Sequence, residues 1–108
     1  MSHGTLPTLT HLQFVVIGAL LADAQSGKDL RIELKRHGVR RTGPAFYQMM
    51  ARLEDSGWID GFYTQEIVDA QIIKERRYHV KPAGVRAWNS TRDFYASVSS
   101  RFDRVAHV

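Results

Sequence analysis

Residues 42–58 read Thr-Gly-Pro-Ala-Phe-Tyr-Gln-Met-Met-Ala-Arg-Leu-Glu-Asp-Ser-Gly-Trp, which predicts one amphipathic helix with a marked start and end. Pro44 suits the first turn of a helix, where its missing N–H is not needed. Gly57 is a typical helix stop. The apolar residues recur at helical spacing and predict an inward face of Phe46, Met49 or Met50, and Leu53. The opposite face shows Ala45, Gln48 and Arg52, with Tyr47 at its edge.

Two further helices precede this one. Thr10 and Gln13 have the spacing of a capping box and predict a first helix to about Asp23 that is apolar nearly all round. Ser26 is the predicted N-cap of a second helix, which runs through about Arg36 and is ended by Gly38. In so small a domain, a second subunit would cover part of the first helix.

After Gly57 the pattern changes to that of β-strands. We expect a strand over 58–65 with Asp60-Gly61 inside it, because only two residues separate that pair from the preceding helix. A return strand is expected over 72–80, and 66–71 would form the connecting tip.

Pro82 begins a final helix that we expect to run to about Arg104, roughly 33 Å at 1.5 Å per residue. Its apolar members are Val85, Trp88, Phe94 or Tyr95, Val98 and Phe102. A small domain cannot cover such a length, so we expect a homodimer through the first and last helices.

The predicted class is therefore mainly α with a small β-hairpin: a winged helix-turn-helix with three helices, a two-stranded wing and a long C-terminal dimerisation helix. We expect a DNA-binding unit over 1–81 and the dimerisation helix over 82–108, in one compact body. In a helix-turn-helix the recognition helix enters the major groove of DNA.

Composition excludes several classes of protein. The chain has no cysteine, so neither a disulfide framework nor a thiolate metal site is available. The longest apolar run, 14–22, is too short to span a bilayer, and no signal peptide precedes it, so we expect a cytoplasmic protein without a membrane partner. The five histidines lack metal-ligand spacing, and no phosphate-loop, nucleophile or paired-carboxylate motif occurs. We therefore expect no metal, no cofactor and no enzyme.

The charge is concentrated in two blocks. The net charge is +4, yet 28–52 holds seven Lys or Arg against two acids, and 74–86 holds five against one. These blocks indicate a polyanion-binding face or, alternatively, two solvated basic surfaces.

The chain resembles the PadR family of winged-helix transcriptional regulators over residues 9 to about 104. The resemblance is carried by Gly-Pro-Ala-Phe-Tyr at 43–47, Arg-Leu-Glu at 52–54, Gly-Trp-Ile at 57–59, and Arg-Tyr-His-Val through Gly84 at 77–84. The N-terminal segment from Leu9-Thr10 through Leu21 also resembles the PadR family. The chain departs from the family at Lys28, where an aromatic is common, and at Lys81, where a capping Thr is common.

The candidate DNA contacts lie before and on the third helix and on the return strand: Arg40, Arg41, Thr42, Ala45, Tyr47, Gln48, Arg52, Lys74, Arg76 and Arg77. Gln48 could pair with adenine or be an ordinary solvated side chain. Arg52 could instead pair with Glu54, Asp55 or the backbone of the chain itself.

The favoured hypothesis is a repressor that binds double-stranded DNA at a palindromic operator. The alternatives are a winged-helix protein–protein interaction module and a ligand-responsive regulator that binds a small aromatic effector. The apolar wing residues Ile67, Val68, Ile72 and Ile73 favour the module. The effector follows from the family resemblance, which implies an aromatic ligand site at the dimer interface with Trp88 and Tyr95. These two residues could equally pack the dimer itself.

Overall fold

The computed structural model describes residues 9–106, without the side chains of Arg104 and Ala106. Four helices and a three-stranded sheet follow in the order α1 (His11–Leu20), β1 (Gln25–Ser26), α2 (Gly27–Arg36), α3 (Gly43–Asp55), β2 (Ile59–Val68), β3 (Gln71–Val80) and α4 (Pro82–Ala106). The winged-helix expectation is confirmed, with one strand more than predicted. The unit limits 1–81 and 82–108 remain predictions, and 1–8 and 107–108 lie outside the described residues.

The helix starts form as the capping patterns predict. The Thr10 hydroxyl accepts from the Gln13 N–H at 3.1 Å, and the Gln13 side chain accepts from the Thr10 N–H at 2.9 Å. At the other end, α1 stops at Leu20, three residues before the predicted limit. The reason is that the chain must turn there so that Gln25–Ser26 can pair with β3.

Two glycines end helices because they adopt a left-handed backbone. Gly38 follows α2 with φ +77°, and Gly57 follows α3 with φ +76°. Only glycine takes this conformation at little cost, so both predicted stops are confirmed.

The wing is a longer and tighter hairpin than expected. β2 and β3 pair antiparallel along their full lengths, from Ile59 opposite Val80 to Val68 opposite Gln71. The predicted tip over 66–71 is therefore wrong. Asp69 and Ala70 alone make the turn, both at positive φ (51° and 62°), which is the geometry that matches the twist of a two-residue hairpin.

The unpredicted strand β1 lies on the other side of β3, giving the sheet order β1-β3-β2. Its pairing of Gln25 with Tyr78 and Ser26 with Arg77 attaches the base of the wing to the start of α2. A strand of two residues is too short to show the alternation of apolar and polar residues that identifies strands in a sequence, so β1 was not predicted.

The core lies between α1, α2, α3 and the base of the sheet. Its fully buried members include Ile17, Leu30, Phe46, Met50, Leu53 and Ile59. The inward face of α3 is thus confirmed, and both methionines belong to it.

α4 leaves this core after its first turns. Its 25 residues span about 37 Å, and the protein measures 61 × 33 × 23 Å. The far part exposes Tyr95, Val98, Phe102 and Val105. None of the described helices has the length and apolar character that crossing a bilayer requires.

Candidate nucleic-acid interface

The start of α3 is held so that its outer face points away from the core. The Thr42 hydroxyl caps the helix by accepting from the Ala45 N–H at 3.3 Å, and Pro44 occupies the first turn. Because Phe46, Met50 and Leu53 are buried on one side, Gln48 and Arg52 must project on the other, where both are exposed. Thr42 therefore has a structural task, while Gln48 is available to a partner.

Three arginines surround this face. Arg40 and Arg41 lie in the loop before α3, and Arg52 lies near its end; all three are exposed. Within residues 9–106 none of their guanidinium groups lies in an ion pair. The loop is fixed to α2 because Arg31 donates to the Arg41 carbonyl oxygen at 3.2 Å. Two uncompensated cations, Arg40 and Arg41, thus precede the helix N-terminus, whose dipole also favours anions, and Arg52 adds a third in the last turn of α3.

Arg41, Gln48 and Arg52 also share one surface hollow of about 200 Å³, together with Ala45 and the start of α1. Arg41 and Arg52 are eleven residues apart in the sequence, so their proximity in this hollow could not be predicted from spacing alone. Among residues 9–106, Arg52 forms an ion pair with neither Glu54 nor Asp55, and Glu54 pairs with Arg76 at 3.0 Å instead.

Tyr47 lies at the edge of the face and has a structural contact as well. Its hydroxyl covers the start of α2, where a Cβ on Gly27 would lie only 2.7 Å from it. The ring meets Phe46 edge-on at 5.0 Å and remains 43% exposed. Tyr47 therefore packs α3 against α2 and still presents an edge to solvent.

A basic face of α2 adjoins Tyr47. Lys28, Arg31 and Lys35 line a second open hollow with Tyr47 and Ile32. These three cations were not among the predicted contacts. Their spacing of three and four residues puts them on one helix face, which is the signal that could have identified them.

The three basic residues of the return strand differ in their surroundings. Lys74 is exposed, within 5.9 Å of the Tyr63 ring centroid. Arg76 pairs with Glu54, and Arg77 pairs with Glu75 at 2.9 Å while donating to the Ala24 carbonyl oxygen. Arg76 and Arg77 are thus occupied within the chain, and Lys74 is the cation of this strand that has no ion pair among the described residues.

Arg76 belongs to a cluster between α3 and the wing. Its guanidinium stacks 4.8 Å from the centre of the Tyr63 ring, and Glu54 also accepts from the Gly61 N–H at 2.8 Å. Asp60-Gly61 lies inside β2 as predicted, and a Cβ on Gly61 would collide with both Arg76 and Glu54, which explains why this strand position is a glycine. Burial raises the pKa of the Tyr78 phenol against the opposing effect of Arg76, so the hydroxyl stays protonated at neutral pH.

Trp88 and Tyr95 contact different parts of α1. The Trp88 ring stacks on Phe14 with centroids 4.9 Å apart, and its N–H donates to the Phe14 carbonyl oxygen at 3.1 Å. Tyr95 lies beside His11, with 3.4 Å between its hydroxyl and the ring nitrogen. Trp88 therefore packs α4 against α1. A ligand-binding role for Trp88 and Tyr95 stays a prediction.

Among the described residues, no three His, Cys, Asp or Glu side chains come together in a way that could hold a metal ion. His37 lies beside Glu33, and His79 beside Asp60. His3 and His107 lie outside the described residues.

Comparison with known proteins gives no match to a family model and none to a curated sequence. Solved structures do match. A PadR-family transcription regulator from Clostridium difficile has TM-score 0.75 at 10% identity, covering 90% of this chain and 99% of that one. A PadR-like transcriptional regulator from Bacillus cereus has TM-score 0.71 at 17% identity, covering 90% and 92%.

A third match is Bacillus subtilis PadR in complex with operator DNA, with TM-score 0.61 at 18% identity. It is aligned over 80% of this chain and 47% of the PadR chain. The chain thus has the winged-helix fold of PadR-family transcriptional regulators.

Proposed function

We propose that this chain is a DNA-binding transcriptional regulator of the PadR kind, a repressor that binds a palindromic operator as a homodimer in the cytoplasm. One observation carries the proposal: the exposed face of α3 is surrounded by Arg40, Arg41 and Arg52, whose charges no carboxylate among the described residues neutralises. The fold shared with solved transcriptional regulators supports it, and one of these is bound to operator DNA.

In this proposal α3 lies in the major groove, with its first turns toward the base edges. Gln48 pairs with adenine N6 and N7, and the small side chain of Ala45 lets the helix approach a thymine methyl group. Arg40 and Arg41 contact phosphates and fix the position of the helix. Thr42 keeps the helix start in shape, and Tyr47 contacts the backbone from the edge.

The remaining basic residues extend the contact surface. Lys74 is the phosphate contact of the return strand, and Arg52 reaches the backbone from the hollow that it shares with Arg41. Arg76 and Arg77 act chiefly by holding the wing in place, because both are paired inside the chain. This is a change of role for two of the predicted contacts.

The homodimer forms through α1 and α4. The exposed apolar side chains Val98, Phe102 and Val105 lie on the part of α4 that has left the core, and a second copy would bury them. A two-fold dimer matches a palindromic site, whose half-sites lie about 34–36 Å or multiples of this apart. Occupation of such a site near a promoter is the basis of repression.

Selection from a random-sequence duplex library tests the proposal. The full-length protein should enrich a motif with two-fold symmetry, and point changes in either half-site should weaken binding by roughly 1–3 kcal/mol each. An Arg40→Ala/Arg41→Ala/Gln48→Ala variant, folded by circular dichroism, should enrich nothing. Failure of the wild-type protein to enrich any sequence would contradict the proposal.

A further inference from the structure

The two faces of the wing carry opposite charge. Residues that pair across an antiparallel ladder share a face, and successive pairs alternate between faces. The register therefore divides the hairpin into two sets. We call them the cationic face (Ile59, Gly61, Tyr63, Gln65, Ile67, Ile72, Lys74, Arg76, Tyr78 and Val80) and the acidic face (Asp60, Phe62, Thr64, Glu66, Val68, Gln71, Ile73, Glu75, Arg77 and His79).

All three carboxylates of the two strands lie on the acidic face, at Asp60, Glu66 and Glu75. The cationic face has none of its own. Its Lys74 and Arg76 are followed toward the tip by the cross-strand pair Ile67 and Ile72. Because Arg76 pairs with Glu54 and Arg77 offsets one carboxylate of the acidic face, Lys74 is the cation that attracts a polyanion to the cationic face, while the acidic face keeps a net negative charge.

The cationic face is the one that turns toward α3. Arg76 meets Glu54 of that helix, and one hollow is lined jointly by Tyr47, Tyr63 and Arg76. The surface proposed to contact DNA on α3 therefore adjoins the cationic face of the wing at Tyr47, with the Glu54–Arg76 pair between them.

The tip of this face is apolar and stands free of the domain. Ile67 is 79% exposed and Ile72 is 69% exposed. They lie four residues beyond Tyr63 and Arg76, where the wing meets α3, which corresponds to a reach of roughly 14 Å along the strands. Half a turn of B-DNA is about 17 Å, so the tip can reach the minor groove next to the major groove that holds α3.

We propose, on the basis of the DNA-binding function proposed above, that Ile67 and Ile72 enter this minor groove as an apolar wedge. Lys74 then contacts the phosphate ridge between the two grooves. Aliphatic side chains that enter the minor groove unstack a base step and kink the duplex. The two-residue turn at Asp69 and Ala70 keeps the tip narrow enough to enter. The wedge gives the protein a preference for easily kinked pyrimidine–purine steps beside the sequence that α3 reads.

The test compares two matched double variants. Ile67→Thr/Ile72→Thr removes the wedge, and Val68→Thr/Ile73→Thr makes the same kind of change on the acidic face. Threonine stays β-branched, so strand propensity is kept in both. The probe is a duplex selected by the wild-type protein from a random library, labelled at its ends so that energy transfer reports bending.

We expect the wedge variant to bind roughly tenfold more weakly and to bend the duplex less, with an unchanged dependence of affinity on salt. The control should bind and bend within twofold of wild type. Lys74→Ala should instead reduce the salt slope by about 0.9.

Equal binding and bending by the wedge variant and the wild type would overturn the wedge while leaving DNA binding intact. The exposed isoleucines would then belong to a protein contact. Absence of any DNA binding by the wild type would overturn both proposals.

Discussion

The Glu54 carboxylate of α3 lies 3.0 Å from the Arg76 guanidinium of β3 and also accepts from the Gly61 N–H of β2. One side chain thus joins the proposed recognition helix to both strands of the wing. Glu54 and Arg76 are about a quarter exposed, so solvent screens them less than a surface pair. The helix and the wing are thereby held in one fixed relation, which the proposed binding to a major groove and the adjacent minor groove requires.

Removal of Arg76 should destabilise the domain. Arg76→Ala leaves the half-buried Glu54 charge with a single N–H partner, and we expect a loss of roughly 1–2 kcal/mol in the free energy of unfolding. Lys74→Ala, two residues away on the same face, should cost less than about 0.5 kcal/mol. Urea denaturation at pH 7 measures both, and equal losses would contradict a structural role for Arg76.

Gly61 should not tolerate a methyl group. A Cβ there would displace the Glu54–Arg76 pair, so Gly61→Ala should destabilise by roughly 1–3 kcal/mol. The control is Gly43→Ala at the start of α3, where a Cβ would meet only Arg31 at an ordinary 3.7 Å. That change should be neutral or slightly stabilising. Urea denaturation measures both variants. Equal free energies of unfolding for Gly61→Ala and Gly43→Ala would refute the close approach of Glu54 and Arg76 to Gly61.

The parts of the fold that follow local rules were predictable from sequence. Thr10 with Gln13, and Gly38 and Gly57 after their helices, specify ends through hydrogen bonds and backbone angles that these residue types favour. The wing turn was not predictable, because Asp69-Ala70 lacks the glycine that usually marks a two-residue turn. The register of the long strands determines it instead.

The sequence predicted which site residues are exposed. It did not predict which of them form ion pairs with residues distant in the sequence. Gln48 and Arg40 project from a helix start whose inward face the sequence shows. Arg76 and Lys74 are both basic and two residues apart, yet only Arg76 meets a carboxylate, Glu54, twenty-two residues earlier. No spacing rule links positions on different elements, so the sequence does not distinguish their roles.

The dimer should depend on the exposed part of α4. Val98→Gln/Phe102→Gln keeps good helix formers while removing the apolar contacts, and we expect it to be a monomer of 12.3 kDa at micromolar concentration. Ser97→Gln/Ser100→Gln, on other sides of the same helix, should remain a dimer. Sedimentation equilibrium gives the masses, and a monomeric wild type would contradict the proposed dimer.

Phosphate contacts should appear as a salt dependence of affinity that the arginines before α3 control. Each lost phosphate contact lowers the slope of log affinity against log salt by about 0.9. Arg40→Ala/Arg41→Ala should therefore reduce the slope by about 1.8 for all DNA sequences alike. Gln48→Ala should leave the slope unchanged and relax the preference at one base pair, by roughly 1–3 kcal/mol. A sequence-specific effect of the arginine pair would contradict this division of roles.

Recognition of DNA by α3 is tested by fluorescence anisotropy with a duplex selected by the wild-type protein and a scrambled duplex, each at about 50 and 200 mM salt. Specific recognition through α3 predicts that the wild type binds the selected duplex at least about 10³ times more tightly, with affinity falling steeply as salt rises. The Arg40→Ala/Arg41→Ala/Gln48→Ala variant should remain folded, bind both duplexes more weakly, and lose roughly 1–3 kcal/mol of this preference for each base pair that Gln48 reads. Equal affinity of the wild type for both duplexes, or an unchanged preference in the variant, would contradict recognition of DNA by this helix.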